Sequence, residues 1–101
     1  MSDRKLTEAR KIAMAKGIIS KPEELQISKA KNKRFVLITN DGKRVNFGLW
    51  PFTGDGSFLD HGNNDIKKDW QARHSKIKLK DGRFSYKVKN TPEYLAWNIL
   101  W

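Results

Sequence analysis

Two histidines and several acidic and amide side chains lie close together near the middle of this 101-residue chain. His61 and His74 are its only histidines. Their polar neighbours are Asp55, Asp60, Asn63, Asn64, Asp65 and Asp69. Carboxylates and imidazoles bind divalent metals, and a metal-activated water hydrolyses phosphodiesters in compact nucleases. A metal-dependent nuclease that uses Asp60, His61 and His74 is therefore one alternative.

The spacing of these residues argues against a nuclease. Compact His-Asn-His nucleases place a second strand between the first histidine and the following helix, whereas here a helix is predicted to begin a few residues after His61. Asp65 and Asp69 fall early in that helix, where the helix dipole favours negative charge. No glycine-rich phosphate loop or zinc ligand set is present. We therefore predict no catalytic residue, no metal site and no cofactor.

We interpret the same stretch as a structural latch between a loop and a helix. Its members are Asp60, His61, Trp70 and His74. Ile66, Trp70 and Ile77 follow helical spacing and define a buried face. His74 is predicted to share this face as a hydrogen-bonded imidazole, oriented by Asp60 or by a backbone carbonyl. Arg73 then lies at the edge of the face, where it can contact a partner.

The charge of the chain points to a polyanionic partner. Lys and Arg number 21 against 11 Asp and Glu, which gives a net charge of +10. Such a balance favours nucleic acid, anionic lipid or an acidic protein surface. The candidate phosphate-binding residues are Lys29, Lys31, Lys33, Arg34, Arg73, Lys76, Lys78, Lys80, Arg83, Lys87 and Lys89.

Phe84 and Tyr86 are interleaved with the later of these basic residues. Aromatic rings between lysines can stack on exposed bases while the lysines contact phosphates. The alternative is that both rings point into the core. The sequence favours the core for the two rings and phosphate contact for the lysines.

The strongest local signal is a β-hairpin. Phe35–Thr39 and Arg44–Phe47 are rich in strand formers, and Asn40–Lys43 between them contains the Asp-Gly pair of a tight turn. A basic helix is predicted over 3–16, capped by Asp3 and ended at Gly17.

The remaining segments are predicted as short helices and loops around this hairpin. They are a helical turn over 20–25 capped by Ser20, a loop over 48–62, a helix over 64–77 capped by Asn64, an extended basic segment over 78–89 with a turn at Asp81-Gly82, and a final buried helix capped by Thr91 with Pro92 in its first turn. We predict one domain over 1–101 in the α+β class. A β-hairpin or small antiparallel sheet packs against two or three helices, and 1–20 forms a basic N-terminal helix.

The compartment is predicted from two absences in the sequence. The chain has no cysteine, which excludes disulfides and cysteine-based zinc sites. No apolar run reaches membrane-spanning length, and the first residues lack the apolar segment of a secretory signal. These features predict a soluble protein of the cell interior without a membrane partner.

Four segments carry a family resemblance. They are Asn46-Phe47-Gly48, Phe58-Leu-Asp-His61, Trp70-Gln-Ala-Arg-His74 and the closing Leu95-Ala-Trp-Asn-Ile-Leu-Trp101. Together they resemble an uncharacterised family of small basic proteins from large nucleocytoplasmic DNA viruses and some tailed phages. The likeness covers about 33–101, and the chain departs from it after the Arg-His pair. The resemblance implies a viral setting, in a viral factory, the cytoplasm or nucleus of the host, or the virion, and implies no activity.

Two further interpretations stay open beside the nuclease. The first is a small basic viral protein that binds nucleic acid, DNA as the first expectation, through phosphate contacts and without catalysis. The second is a minor capsid or cement protein whose basic surface meets acidic virion proteins. In that case Leu49–Phe52 and the last tryptophans are its docking anchors.

Overall fold

A computed structural model describes residues 4–52, 54 and 56–101, and the predicted α+β class is confirmed. The strands are β1 (Leu25–Ile27), β2 (Lys33–Ile38) and β3 (Arg44–Leu49), which form an antiparallel sheet in the order β1-β2-β3. The helices are α1 (Leu6–Ala15), α2 (Phe58–His61), α3 (Asn64–His74) and α4 (Pro92–Leu95), which continues as a π-helical turn (Ala96–Leu100). Two 3₁₀ turns cover Pro22–Glu24 and Ser85–Lys87. Asp3 and Asp55, named above as a cap and as an acidic neighbour, lie outside the described residues.

The predicted hairpin is confirmed as β2 and β3. Phe35 lies opposite Phe47, and their ring centres are 5.9 Å apart. At the turn, the amide of Thr39 donates to the carbonyl of Lys43 at 2.9 Å. Gly42 has φ of 83°, a conformation that glycine adopts without steric cost.

β1 and the turn before it differ from the prediction. Leu25, predicted as the last residue of a helical turn, instead begins β1 and pairs with Leu37 of β2. Only Pro22–Glu24 is helical, and Lys21 rather than Ser20 occupies the cap. A three-residue strand is too short to show the alternation of polar and apolar residues by which strands are recognised.

The core lies between one face of the sheet, α1 and the last two helical segments. Its buried members are Ala9, Ala13, Ile19, Leu25, Phe35, Leu37, Phe47, Leu95, Ile99 and Leu100. The two alanines are fully buried on α1, because small side chains let the helix approach the sheet closely. The predicted stop of this helix at Gly17 is confirmed by its φ of 71°.

α3 is shorter than predicted, and its cap is one residue earlier. Asn63, not Asn64, accepts hydrogen bonds from the amides of Asp65 and Ile66, at 2.9 and 3.3 Å. The helix ends at His74, so Ile77 leaves the helical phase and is 42% exposed. Ile77 is therefore not part of the buried face.

Two other predictions about the second half of the chain are corrected. The loop predicted over 48–62 contains α2, and the segment predicted as extended over 78–89 contains the 3₁₀ turn Ser85–Lys87. The predicted cap of the last helix is confirmed, because the hydroxyl of Thr91 accepts from the amide of Tyr94 at 3.2 Å. Within the described ranges, no helix is long and apolar enough to cross a membrane.

Candidate nucleic-acid interface

A tight turn held by backbone hydrogen bonds leads into Phe84. Lys78 and Phe84 form an antiparallel bridge, and between them the amide of Leu79 donates to the carbonyl of Arg83 at 2.8 Å. Gly82 has φ of 90°, which the predicted Asp-Gly turn requires. The backbone on the N-terminal side of Phe84 is therefore fixed.

The residue after Phe84 is anchored from the protein interior. Ser85 is 6% exposed, and its amide donates to the carbonyl of Ile77 at 2.9 Å. Its carbonyl accepts from the hydroxyl of Thr91, also at 2.9 Å. Phe84 is thus held on both sides by contacts that do not involve its own ring.

The two aromatic rings of this segment have different environments. Tyr86 is half-buried and stacks on Trp97, with ring centres 4.2 Å apart. Phe84 is 38% exposed. The prediction that both rings point into the core is therefore wrong for Phe84, which is exposed and does not belong to the core cluster.

Two lysine ammonium groups lie over the ring of Phe84, and the ring of Tyr86 lies 6.3 Å from it. The Nζ atom of Lys78 lies 5.1 Å from the ring centre, and that of Lys87 lies 5.6 Å away. Both distances are within the range of cation–π attraction. We define the Phe84 patch as Lys78, Arg83, Phe84, Lys87 and Lys89.

A shallow depression of about 450 Å³ adjoins the ring. The residues that line it are Arg83, Phe84, Lys87, Val88 and Lys89, none of which carries a carboxylate. The one acidic residue between 73 and 89 is Asp81, which the Arg83 guanidinium contacts at 2.6 Å. The Arg83 backbone amide and guanidinium hold the pKa of the Asp81 carboxyl below its ordinary value. Both side chains are exposed, so this pair stabilises the fold little and leaves Arg83 free to exchange partners.

Most of the predicted phosphate-binding residues reach solvent. The exposed ones are Lys29, Lys31, Lys33, Arg73, Lys76, Lys78, Lys80, Arg83, Lys87 and Lys89. Arg73 lies in the last turn of α3, and Lys76 follows the helix two residues before Lys78 of the Phe84 patch. Lys33 and His74 line the same cavity of about 370 Å³, and His74 follows Arg73 in the sequence.

The hairpin turn also borders the Phe84 patch. Lys43 and Lys89 line one common depression at the turn. Lys43 is not among the predicted phosphate-binding residues; it is predicted as part of the hairpin turn.

Arg34 is a correction to the predicted phosphate contacts. It is 1% exposed, and its guanidinium donates to both carboxylate oxygens of Asp60 at 2.7 and 2.9 Å. It also donates to the carbonyl of Arg4 at 2.7 and 3.0 Å, and lies 5.0 Å from the ring of Trp50. A buried arginine with these partners cannot meet a phosphate. Arg34 is the one buried member of the basic run over 29–34, and the sequence of that run does not distinguish it from its exposed neighbours.

Asp60 is the counter-charge of Arg34 and not the partner of His74. Burial raises the pKa of the Asp60 carboxyl, but hydrogen bonds from Arg34 and from Ser57 outweigh that effect and leave the pKa below its ordinary value. Ser57 contributes both its amide and its hydroxyl, at 2.9 and 2.8 Å. Asp60 is therefore charged, and it fixes α2 against β2.

The latch between α2 and α3 closes through Trp101. The ring of Trp101 stacks on Trp70, with centres 4.7 Å apart, and lies 5.4 Å from His61. Trp70 in turn stacks on His74 at 3.8 Å. Four aromatic rings thus connect the two helices, and Trp101 supplies the link that the predicted set of latch residues lacked.

Each histidine has a different hydrogen-bond partner. His74 Nδ1 lies 2.5 Å from a carboxylate oxygen of Glu93, so the predicted orientation by Asp60 or a carbonyl is wrong. Glu93 lies in the first turn of α4, and nothing in the sequence connects it with His74. His61 Nδ1 accepts from the amide of Asn63 at 2.8 Å, which ties α2 to the cap of α3.

The histidine and acidic side chains do not assemble into a metal site in the part of the chain that the structure describes. No group of three or more potential ligands is close enough there to hold a metal ion. Asp60 is used by Arg34, and His74 by Glu93.

Comparison with protein-family models, with curated proteins and with solved structures found no match to this chain. The resemblance to small basic viral proteins therefore stays a prediction.

Proposed function

We propose that this protein binds nucleic acid, with DNA as the first expectation, through phosphate contacts and without catalysing a reaction. The observation that supports the proposal is the exposure of every basic residue from Arg73 to Lys89. The one carboxylate in that segment, Asp81, is already paired.

The physical basis is the release of counterions. Lysine and arginine side chains that neutralise phosphates release the cations condensed on nucleic acid, so the affinity falls linearly with salt on a logarithmic scale. Each contact adds about 0.9 to the slope for duplex DNA and about 0.7 for a single strand. Such binding carries little sequence preference, because phosphates are the same at every position.

A salt series with a matched charge control tests the proposal. The double variant K76Q/K89Q removes one charge next to the Phe84 patch and one charge within it, and K11Q/K21Q removes two exposed charges elsewhere. Fluorescence anisotropy with labelled DNA is expected to give a slope shallower by about 1.4 to 1.8 for K76Q/K89Q. The slope for K11Q/K21Q is expected to match that of the unaltered protein. Absence of binding at low salt, affinity that is indifferent to salt, or equal losses in both variants would overturn the proposal.

A viral setting is a separate part of the proposal and is supported only by the family resemblance. It places the protein in the interior of an infected cell or in the virion. Mass spectrometry of purified particles and of infected-cell fractions tests it, and recovery of the chain from neither would overturn it.

A second candidate function, a minor capsid or cement protein, is supported by two exposed apolar side chains. Leu49 is 53% exposed and Phe52 is 37% exposed, beside the cavity that Trp70 and Trp101 line. Exposed apolar residues near aromatic rings are typical of protein docking sites. Cross-linking in purified particles discriminates, because shell proteins as the sole neighbours favour this candidate and contact with the genome favours the first.

A further inference from the structure

We infer that the Phe84 patch stacks on unpaired bases, so that the protein binds single-stranded nucleic acid more tightly than duplex. This inference rests on the proposed function and adds to it the form of nucleic acid that is bound. It gives a role to the ring of Phe84, because an uncharged ring does not contribute to phosphate contacts.

The first step is that Phe84 is exposed although its backbone is fixed. The bridge to Lys78 and the buried Ser85 hold the residue on both sides, so its 38% exposure belongs to the folded turn itself. Because the backbone is fixed, the exposed part of the ring is available to a partner without a change in the fold.

The second step is the arrangement of charge around the ring. Lys78 and Lys87 lie 5.1 and 5.6 Å from its centre, and Lys89 lines the adjoining depression. In a single strand the phosphates flank each base, so a base that stacks on Phe84 displaces an ammonium group from over the ring, and that group can then contact the phosphate of the same nucleotide. Base stacking on aromatic rings between basic side chains is the general mode of single-strand recognition.

The third step is that a duplex cannot use this ring. The faces of paired bases are stacked inside the double helix, so only base edges and phosphates are accessible from outside. Duplex DNA can therefore contact the lysines of the patch but not the face of Phe84. The two forms of nucleic acid differ by the stacking contribution.

The chain contains a matched control for Phe84. Phe52 is exposed to almost the same extent, 37% against 38%, and belongs to the loop after β3 instead of the Phe84 patch. Both residues lie at the surface, so F84A and F52A remove similar exposed apolar areas. Thermal unfolding followed by circular dichroism checks that each variant is folded.

The test compares a labelled oligonucleotide with the duplex of the same sequence at one salt concentration. The unaltered protein is expected to bind the single strand more tightly. F84A is expected to weaken single-strand binding roughly 5- to 150-fold, the range measured for loss of one stacked base, and to change duplex binding less than about twofold. F84W is expected to keep the preference, and F52A to leave both affinities unchanged.

The results of this test distinguish failure of the inference from failure of the proposed function. Equal affinity for strand and duplex, or an F84A effect no larger than that of F52A, would overturn the inference while leaving the proposed function intact. Equal losses by F84A on both nucleic acids would also overturn it. No binding to either nucleic acid at low salt would overturn the proposed function itself.

Discussion

The Phe84 patch and the Arg34–Asp60 pair both place basic groups against aromatic rings, but they do so in opposite surroundings. Arg34 is buried, lies 5.0 Å from the ring of Trp50, and donates to Asp60 and to the carbonyl of Arg4. Lys78 and Lys87 contact Phe84 at the surface, where their charges face solvent. In one region the basic residue beside the ring is buried with internal partners, and in the other the basic residues beside the ring are exposed to solvent.

The largest expected effect is the loss of stability when the buried pair is broken. D60A leaves the Arg34 guanidinium buried without its counter-charge, which costs about 3 to 5 kcal/mol in comparable proteins. Urea unfolding is expected to show a lower midpoint by the corresponding amount. D81A breaks the exposed Arg83 pair instead and is expected to leave the unfolding midpoint unchanged. Equal shifts of the unfolding midpoint in the two variants would show that the buried pair contributes no more to stability than the exposed pair.

Acid is expected to weaken the same buried pair. The folded-state pKa of Asp60 lies below its ordinary value, so the pair stabilises the fold fully above about pH 4, the carboxyl pKa of an unfolded chain. This contribution is lost as pH falls from there through the folded-state pKa. Unfolding measured from pH 6 to pH 2 is expected to show a steeper decline for the unaltered protein than for D60N. Parallel curves would contradict the assignment.

The His74–Glu93 contact is expected to have an intermediate effect, because it is partly exposed. E93A removes the acceptor that orients His74 against Trp70 and is expected to lower the free energy of unfolding by about 1 kcal/mol. Glu23 is exposed in the 3₁₀ turn before β1, so E23A is a control with little expected change. A drop for E23A as large as for E93A would indicate that the contact contributes nothing specific.

The smallest expected effect on stability comes from the Phe84 patch itself. F84A removes a ring that lies outside the core cluster, so the free energy of unfolding is expected to change by less than about 1 kcal/mol. F47A, which removes a fully buried ring, is expected to cost about 3 to 5 kcal/mol. Chemical denaturation of both variants checks this contrast, and a large loss for F84A would assign that ring to the core.

Features encoded over a few residues could be predicted from the sequence. Gly42 specifies the hairpin turn, and Thr91 with Pro92 specifies the start of the last helix. The charge of the lysines is sufficient to predict that most of them are exposed. The sequence pattern did not predict the position of a side chain where a residue distant in sequence determines it. Arg34 turns inward because Asp60, 26 positions later, meets it there, and no local signal reveals that pairing.

The candidate site shows the same division. The exposure of its lysines could be predicted from their charge. The exposure of Phe84 could not, because the turn between Lys78 and Phe84 interrupts the alternation of side chains that a continuous strand would have. Glu93 and Trp101 belong to segments whose helical signals gave no indication of their contacts with His74 and Trp70. These contacts arise only when α3 packs beside the final helical segment.

The most direct test of the account is to map which backbone amides respond when a short single-stranded oligonucleotide is added. Nuclear magnetic resonance titration of the isotope-labelled protein reports each residue separately. The account predicts that shifts concentrate between Arg73 and Lys89, are largest around Phe84, and are small at Arg34. Shifts centred on Leu49 and Phe52, or no shifts at low salt, would contradict it.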